Sequence, residues 1–170
     1  MFIERLDAMQ ALSAVPLLVD LLRDALDDGA SLGFLPSMTD DDARSYWRGV
    51  VTALQGQSRL LFVAWQEEQL VGTVQLDLAL KPSATHRADV MTLLVDRSAR
   101  RQGIGRALMA AAENEAQARG RTLLLLDTRR GEAGEHLYRA CGYTAFGVVP
   151  KHTLDGDGTF HDTVFFYRQL

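Results

Sequence analysis

An α/β domain with a mixed central sheet is predicted by three features of the chain. Stretches with strand-like alternation or short apolar runs are interspersed with stretches of helical periodicity, in the order β-α-α-β-β-β-α-β-α-β-β. One helical pattern, GRALMAAAENEAQAR, lies between the apolar runs MTLLV and TLLLL, as a β-α-β unit with parallel strands requires. No repeat, low-complexity tract or linker divides the 170 residues, so residues 1–170 read as one domain.

Each element has its own warrant. MFIERL reads as a short strand, and Val15, Leu18, Val19, Leu22, Ala25 and Leu26 recur at helical spacing, predicting an amphipathic helix over 9–28. Gly29–Leu35 (GASLGFL) reads as a loop. Thr39 followed by Asp42 forms a capping-box-like start for a helix over about 40–56. RLLFVAW and QLVGTVQLDLAL read as strands of a hairpin turned at QEEQ, and HRADVMTLLV as the next strand. The following helix stops near Gly120. TLLLLD is an uninterrupted apolar run, as expected of a strand covered on both faces. GEHLYRACGY reads as a short helix ended by Gly142, and two last strands flank LDGDG. The sum is about seven strands and about four helices.

Composition narrows the function classes. Apolar residues make up 47% and charged residues 24%, which suits a globular chain, and the net charge of −4 argues against a nucleic-acid binder. The lone cysteine, Cys141, excludes an internal disulfide framework and suits the cytoplasm. MFIERLDAMQ lacks the basic and apolar regions of a secretory signal, and no run approaches the ~20 apolar residues of a membrane span. The four histidines show no metal-ligand spacing, so no metal is expected. Asp40, Asp41 and Asp42 favour a helix N-terminus, and Asp155 and Asp157 lack the downstream glutamate of a calcium loop.

The stretch RRQGIGRALM (Arg100–Met109) carries the clearest chemistry. It leads from an apolar strand into a helix, where unpaired backbone N–H groups and the positive dipole end favour an anion. Gly103 and Gly105 let such a group approach the backbone, and Arg100, Arg101 and Arg106 can add charge-assisted bonds to phosphate oxygens. Two familiar nucleotide motifs fail here. A dinucleotide fingerprint needs glycine where Leu108 stands, and a P-loop needs a GK[ST] that is absent.

Arg100-x-x-Gly103-x-Gly105 resembles the [QR]-x-x-G-x-[GA] signature of the GNAT acetyltransferases, and LYRACGY (Leu137–Tyr143) resembles their LYxxxG[FY] signature. GASLGFL, KPSATHRADVMTLLVDRSARRQGIGRALM, LLLDT and DGDGTFHDTVFFYRQL look like the tabtoxin-resistance-type members, which acetylate a β-lactam dipeptide toxin. The resemblance implies the GNAT fold and acetyl-CoA as co-substrate, with its pyrophosphate on Arg100, Arg101, Gln102, Gly103, Ile104, Gly105 and Arg106. It implies pantetheine pairing with the strand near Leu94 and Val95, and Tyr138 as general acid toward the CoA thiolate. One position departs from the pattern. Gly131 stands where many members carry asparagine, so any cofactor contact of that residue must be replaced or lost.

Acetyl transfer to an amine also needs a base, because an amine of ordinary pKa, about 10.4, is protonated near pH 7. Asp89, just before the apolar run of its strand, and Asp127, at the end of TLLLLD, are the candidates, each directly or through water. Phe34 and His152 are candidates for lining the acceptor pocket. Cys141, without a His/Asn partner pattern, reads as a packed thiol. The expected acceptor is a small-molecule amine. A protein N-terminus or lysine, and a non-catalytic acyl-CoA sensor, are the alternatives, and a homodimer is a compatible assembly.

Overall fold

A computed structural model describes residues 1–30 and 33–170. Positions 31 and 32 of the expected loop Gly29–Leu35 lie outside the described residues. The strands are β1 (Phe2–Leu6), β2 (Arg59–Gln66), β3 (Gln69–Leu78), β4 (Arg87–Val95), β5 (Leu123–Arg129), β6 (Thr144–Leu154) and β7 (Phe160–Gln169). The helices are α1 (Ala8–Asp27), α2 (Asp40–Gln55), α3 (Ile104–Ala118) and α4 (Ala133–Ala140). Their chain order is the one expected from the sequence. The expected Thr39/Asp42 capping box opens α2, and Asp7 with Gln10 forms another at α1.

The strands form one sheet in the order β1-β2-β3-β4-β5-β7-β6. Only β4 and β5 run parallel, joined by α3, and every other neighbouring pair is antiparallel. Apolar residues on one face, among them Phe62, Val74, Leu76, Ala88 and Val90, pack under α3 through Ile104, Leu108, Met109 and Ala112. On the other face, Leu61 and Val63 meet α1 and α2 through Leu18, Leu22, Trp47 and Val50. Each fully buried Val, Leu, Ile, Phe or Met side chain among these contributes about 1.5–3 kcal/mol of transfer free energy.

Two local features shape the sheet's centre. First, β4 and β5 pair only over Arg87–Asp89 and Leu123–Leu125, after which the strands part. The edge of β4 from Val90 to Val95 that faces β5 is therefore unpaired with it. Second, β4 carries a bulge. Thr73 and Gln75 of β3 oppose Leu94 and Met91, so β4 spends one extra residue there, and Thr92 takes φ +50°. The extra residue reverses the side-chain alternation. Ala88 and Val90 face α3, whereas Leu94, of the same parity, faces α1 and α2.

TLLLLD was expected to be covered on both faces, but only Leu124 and Leu126 are buried. Leu123 and Leu125 are half-buried and Asp127 is exposed, because α1 and α2 pack over the β1–β4 half of the sheet and not over β5–β7.

Candidate active site

The turn into α3 has unusual backbone geometry. Arg101 has φ +63° and Gly103, the N-cap of α3, has φ +83°. Left-handed residues alternating with ordinary ones turn successive N–H groups toward one concavity. Among the described residues, the N–H groups of Arg101 to Arg106 donate to no backbone or side-chain acceptor, and intrahelical bonding starts at Ala107. Six adjacent donors at a helix N-terminus form an anion cradle.

The glycines of this turn have separate jobs. Gly103 permits the left-handed conformation, and a Cβ there would meet nothing within 4 Å. Gly105 permits close packing. A Cβ on it would lie 3.0 Å from Cδ2 of Leu137, so the two sequence motifs are joined by direct contact between α3 and α4. The arginines divide as well. Arg100 reaches away from the turn, ion-paired to Asp28 beyond α1 and donating from Nε to the Val95 carbonyl. Arg101 and Arg106 are exposed beside the cradle.

Tyr138 is buried on α4, its ring 6.1 Å from those of Tyr143 and Phe166. Burial, then the nearby charge of Asp127, pushes its pKa well up, so the phenol holds its proton at neutral pH. Asp89 and Asp127 stand where β4 and β5 part, Asp89 half-buried and Asp127 open to water. Both carboxyl pKa values are raised. For Asp89 the cause is desolvation, opposed by Arg87 and reinforced by Asp77 and Asp127. For Asp127 it is desolvation, opposed by His152. The charge of Asp127 raises the pKa of both Asp89 and Tyr138, and His152 lowers that of Asp127, so these groups influence one another's protonation.

The acceptor-side candidates fall in two places. His152 packs edge-on against Phe165 at 5.3 Å and bonds through Nδ1 to Thr163, on the wall shared with Asp127. Phe34 lines a separate cavity of about 210 Å³ with Gly33, Leu35, Arg129, Thr153 and Asp155. Gly131 has φ +82° and donates its N–H to Glu135, capping the entry to α4. The Cys141 thiol pKa is raised by burial and by Glu113, which keeps it an unreactive thiol.

Three contributors escaped the sequence reading. Tyr46 of α2 bonds Thr92 Oγ1 at 2.9 Å and accepts from buried Gln75 at 2.8 Å, tying the β4 bulge to α2. Polar Gln75 inside an apolar strand was the available signal. The third is Arg129, buried at the end of β5, which the alternation Leu125, Asp127, Arg129 puts on the cleft face.

A profile of the Acetyltransferase (GNAT) family matches residues 19–143. The chain belongs to the GNAT acetyltransferase family. A GNAT relative, an uncharacterized N-acetyltransferase encoded in the hisH-hisA intergenic region of Azospirillum brasilense, is 31% identical over 132 residues, covering 75% of this chain and 74% of that one. The GNAT fold recurs in the ribosomal-protein-alanine N-acetyltransferase of Brucella melitensis, with a TM-score of 0.82 and 22% identity over the whole of both chains. It recurs in yncA of Salmonella typhimurium, solved with its cofactor acetyl-CoA, with a TM-score of 0.79 and 16% identity over 100% of this chain and 94% of that one. Among the described residues no group of side chains is arranged to hold a metal ion, and no helix is long and apolar enough to cross a membrane.

Proposed function

We propose that this chain is an acetyl-CoA-dependent N-acetyltransferase that moves the acetyl group directly to the amine of a small molecule. The observation that carries the reading is the anion cradle at Arg101–Arg106, whose helix α3 contacts α4, the helix of the protonated Tyr138, while Asp89 and Asp127 stand where β4 and β5 part. Bound acetyl-CoA supplies the activated thioester.

The rest is done by this chain. The free N–H groups of Arg101 to Arg106 hold the diphosphate, with Arg101 and Arg106 adding charge. The unpaired edge of β4 around Leu94 and Val95 bonds the pantetheine as an added strand would, and a backbone N–H there receives the developing oxyanion. Asp127, the more open carboxyl, takes the amine proton; desolvation raises its pKa, and its charge in turn raises that of Asp89. Tyr138 donates its proton to the departing thiolate. Its raised pKa keeps the phenol in the acid form until the C–S bond breaks, and it also makes the phenol a weaker acid than an ordinary tyrosine. Likeness of the sequence to tabtoxin-resistance-type enzymes supports a toxin or amino-acid derivative as acceptor. The reading also includes a cytoplasmic setting.

The test is CoA-thiol release from acetyl-CoA with a panel of amines. Tyr138→Phe is expected to lower kcat by about 10²-fold while thermal stabilisation by acetyl-CoA persists. Stabilisation by acetyl-CoA with no thiol release from any amine would identify a sensor instead. Unchanged turnover in Tyr138→Phe would remove that residue from the acid role.

A further inference from the structure

The cavity beside Phe34 is lined by residues with unpartnered hydrogen-bonding groups, Arg129 and Thr153, that the acetyl-transfer steps do not use. Arg129 is 9% exposed, yet its guanidinium makes a single hydrogen bond among the described residues, from Nη2 to Asp155. Its Nε is buried without an acceptor, and Nη1 lies 3.9 Å from Glu132, past hydrogen-bond range. Thr153 on the same cavity wall has a buried hydroxyl that is also unpartnered. Asp155 is shared, since its second oxygen bonds His161 Nε2 at 2.7 Å. A guanidinium whose buried Nε has no acceptor is costly unless one joins it.

We propose that the acceptor carries a carboxylate as well as its amine, and that Arg129, with Thr153 beside it, receives that carboxylate. The assignment rests on the acetyltransferase reading above and specifies its substrate class as amino-carboxylic acids. Position supports it. Arg129 follows Asp127 by two residues on the same face of β5, so the amine and carboxylate stations are about 7 Å apart along the strand. Thr163, opposite Arg129, and Phe165, opposite Asp127, both contact His152, which links the two strand positions. Phe34 lines the same cavity as Arg129 and offers an apolar surface to the acceptor's carbon skeleton. When the carboxylate binds, it takes the idle edge of Arg129, and Asp155 stays anchored through His161.

The experiment compares amino acids with their primary amides in the thiol-release assay. Amidation lowers the neighbouring amine's pKa, so the chemistry alone favours the amides. The wild-type protein is expected to prefer the acids by about tenfold or more in kcat/KM, because a site built for a charged group rejects analogues that lack it. Arg129→Gln is expected to erase that preference, mainly through the KM of the acids, and Arg129→Lys to restore part of it. If Arg129→Gln does not fold, Thr153→Val is expected to reduce the acid-to-amide ratio by about threefold or more. A wild-type ratio at or below one, or an unchanged ratio in a folded variant, overturns the proposal. Thiol release with amides alone overturns it and leaves the acetyltransferase reading standing. No release with any amine overturns both.

Discussion

Gly103→Ala separates the backbone role of the cradle from its ligand role. Gly103 has φ +83°, and Gly120, just past the other end of α3, has φ +71°. A Cβ at either position would meet no atom of the protein within 4 Å. Alanine at each site therefore suffers the same penalty, about 1–2 kcal/mol for a left-handed L-residue. For a chain of this length that lowers Tm by about 2–4 °C per kcal/mol. Only Gly103 lies among the free N–H groups of Arg101 to Arg106, where an added methyl occupies space a phosphate needs. Gly103→Ala should thus weaken acetyl-CoA binding by about tenfold or more, a loss of about 1.4 kcal/mol or more, whereas Gly120→Ala should leave it unchanged. Calorimetric titration of both variants with acetyl-CoA, beside thermal melts of the free proteins, measures the two effects separately. Equal affinity losses at the two glycines, or none at Gly103, would refute the cradle assignment.

Three further outcomes are expected. Arg106→Ala should reduce acetyl-CoA affinity and its salt dependence more than Arg100→Ala, since Arg100 is engaged by Asp28 and the Val95 carbonyl; titrations at two salt concentrations decide this. Tyr46→Phe leaves the fully buried Gln75 amide and Thr92 without their shared partner, which should cost about 1–3 kcal/mol in denaturant melts and reduce turnover by loosening the β4 bulge. Asp127→Asn should abolish most turnover yet raise Tm at pH 7. Desolvation raises the folded-state pKa of Asp127, so stability falls as pH rises through the window between its unfolded and folded values, and the penalty stands above that window. Melts across pH should show the gain from Asn shrinking as pH drops to the ordinary carboxylate range.

The two GNAT motifs were legible because each is local. A left-handed glycine before a helix and a Tyr inside a short amphipathic helix depend on neighbours in sequence, as do the capping box at Thr39 and Asp42 and the apolar periodicities that set the order of elements. Their contact was not legible. That Gly105 is small to admit Leu137 depends on how α3 and α4 meet on one face of the sheet. Nor did the leucines of TLLLLD show that one face of β5 lies open, because a run of identical residues carries no alternation to read.

From the sequence alone come the element order, the β-α-β unit, the anion-binding helix start and the residue types able to move a proton. Tertiary structure alone decided which of these meet. The short β4–β5 pairing opens the cleft, the bulge at Thr92 turns Leu94 to the other face, and Asp28 draws Arg100 away from the turn it precedes. It also placed Arg129 with Phe34 and Thr153 around one cavity. Helix caps and periodicity are written in neighbouring residues, whereas strand divergence, desolvation and long-range ion pairs arise only when distant segments compete for the same space and the same partners.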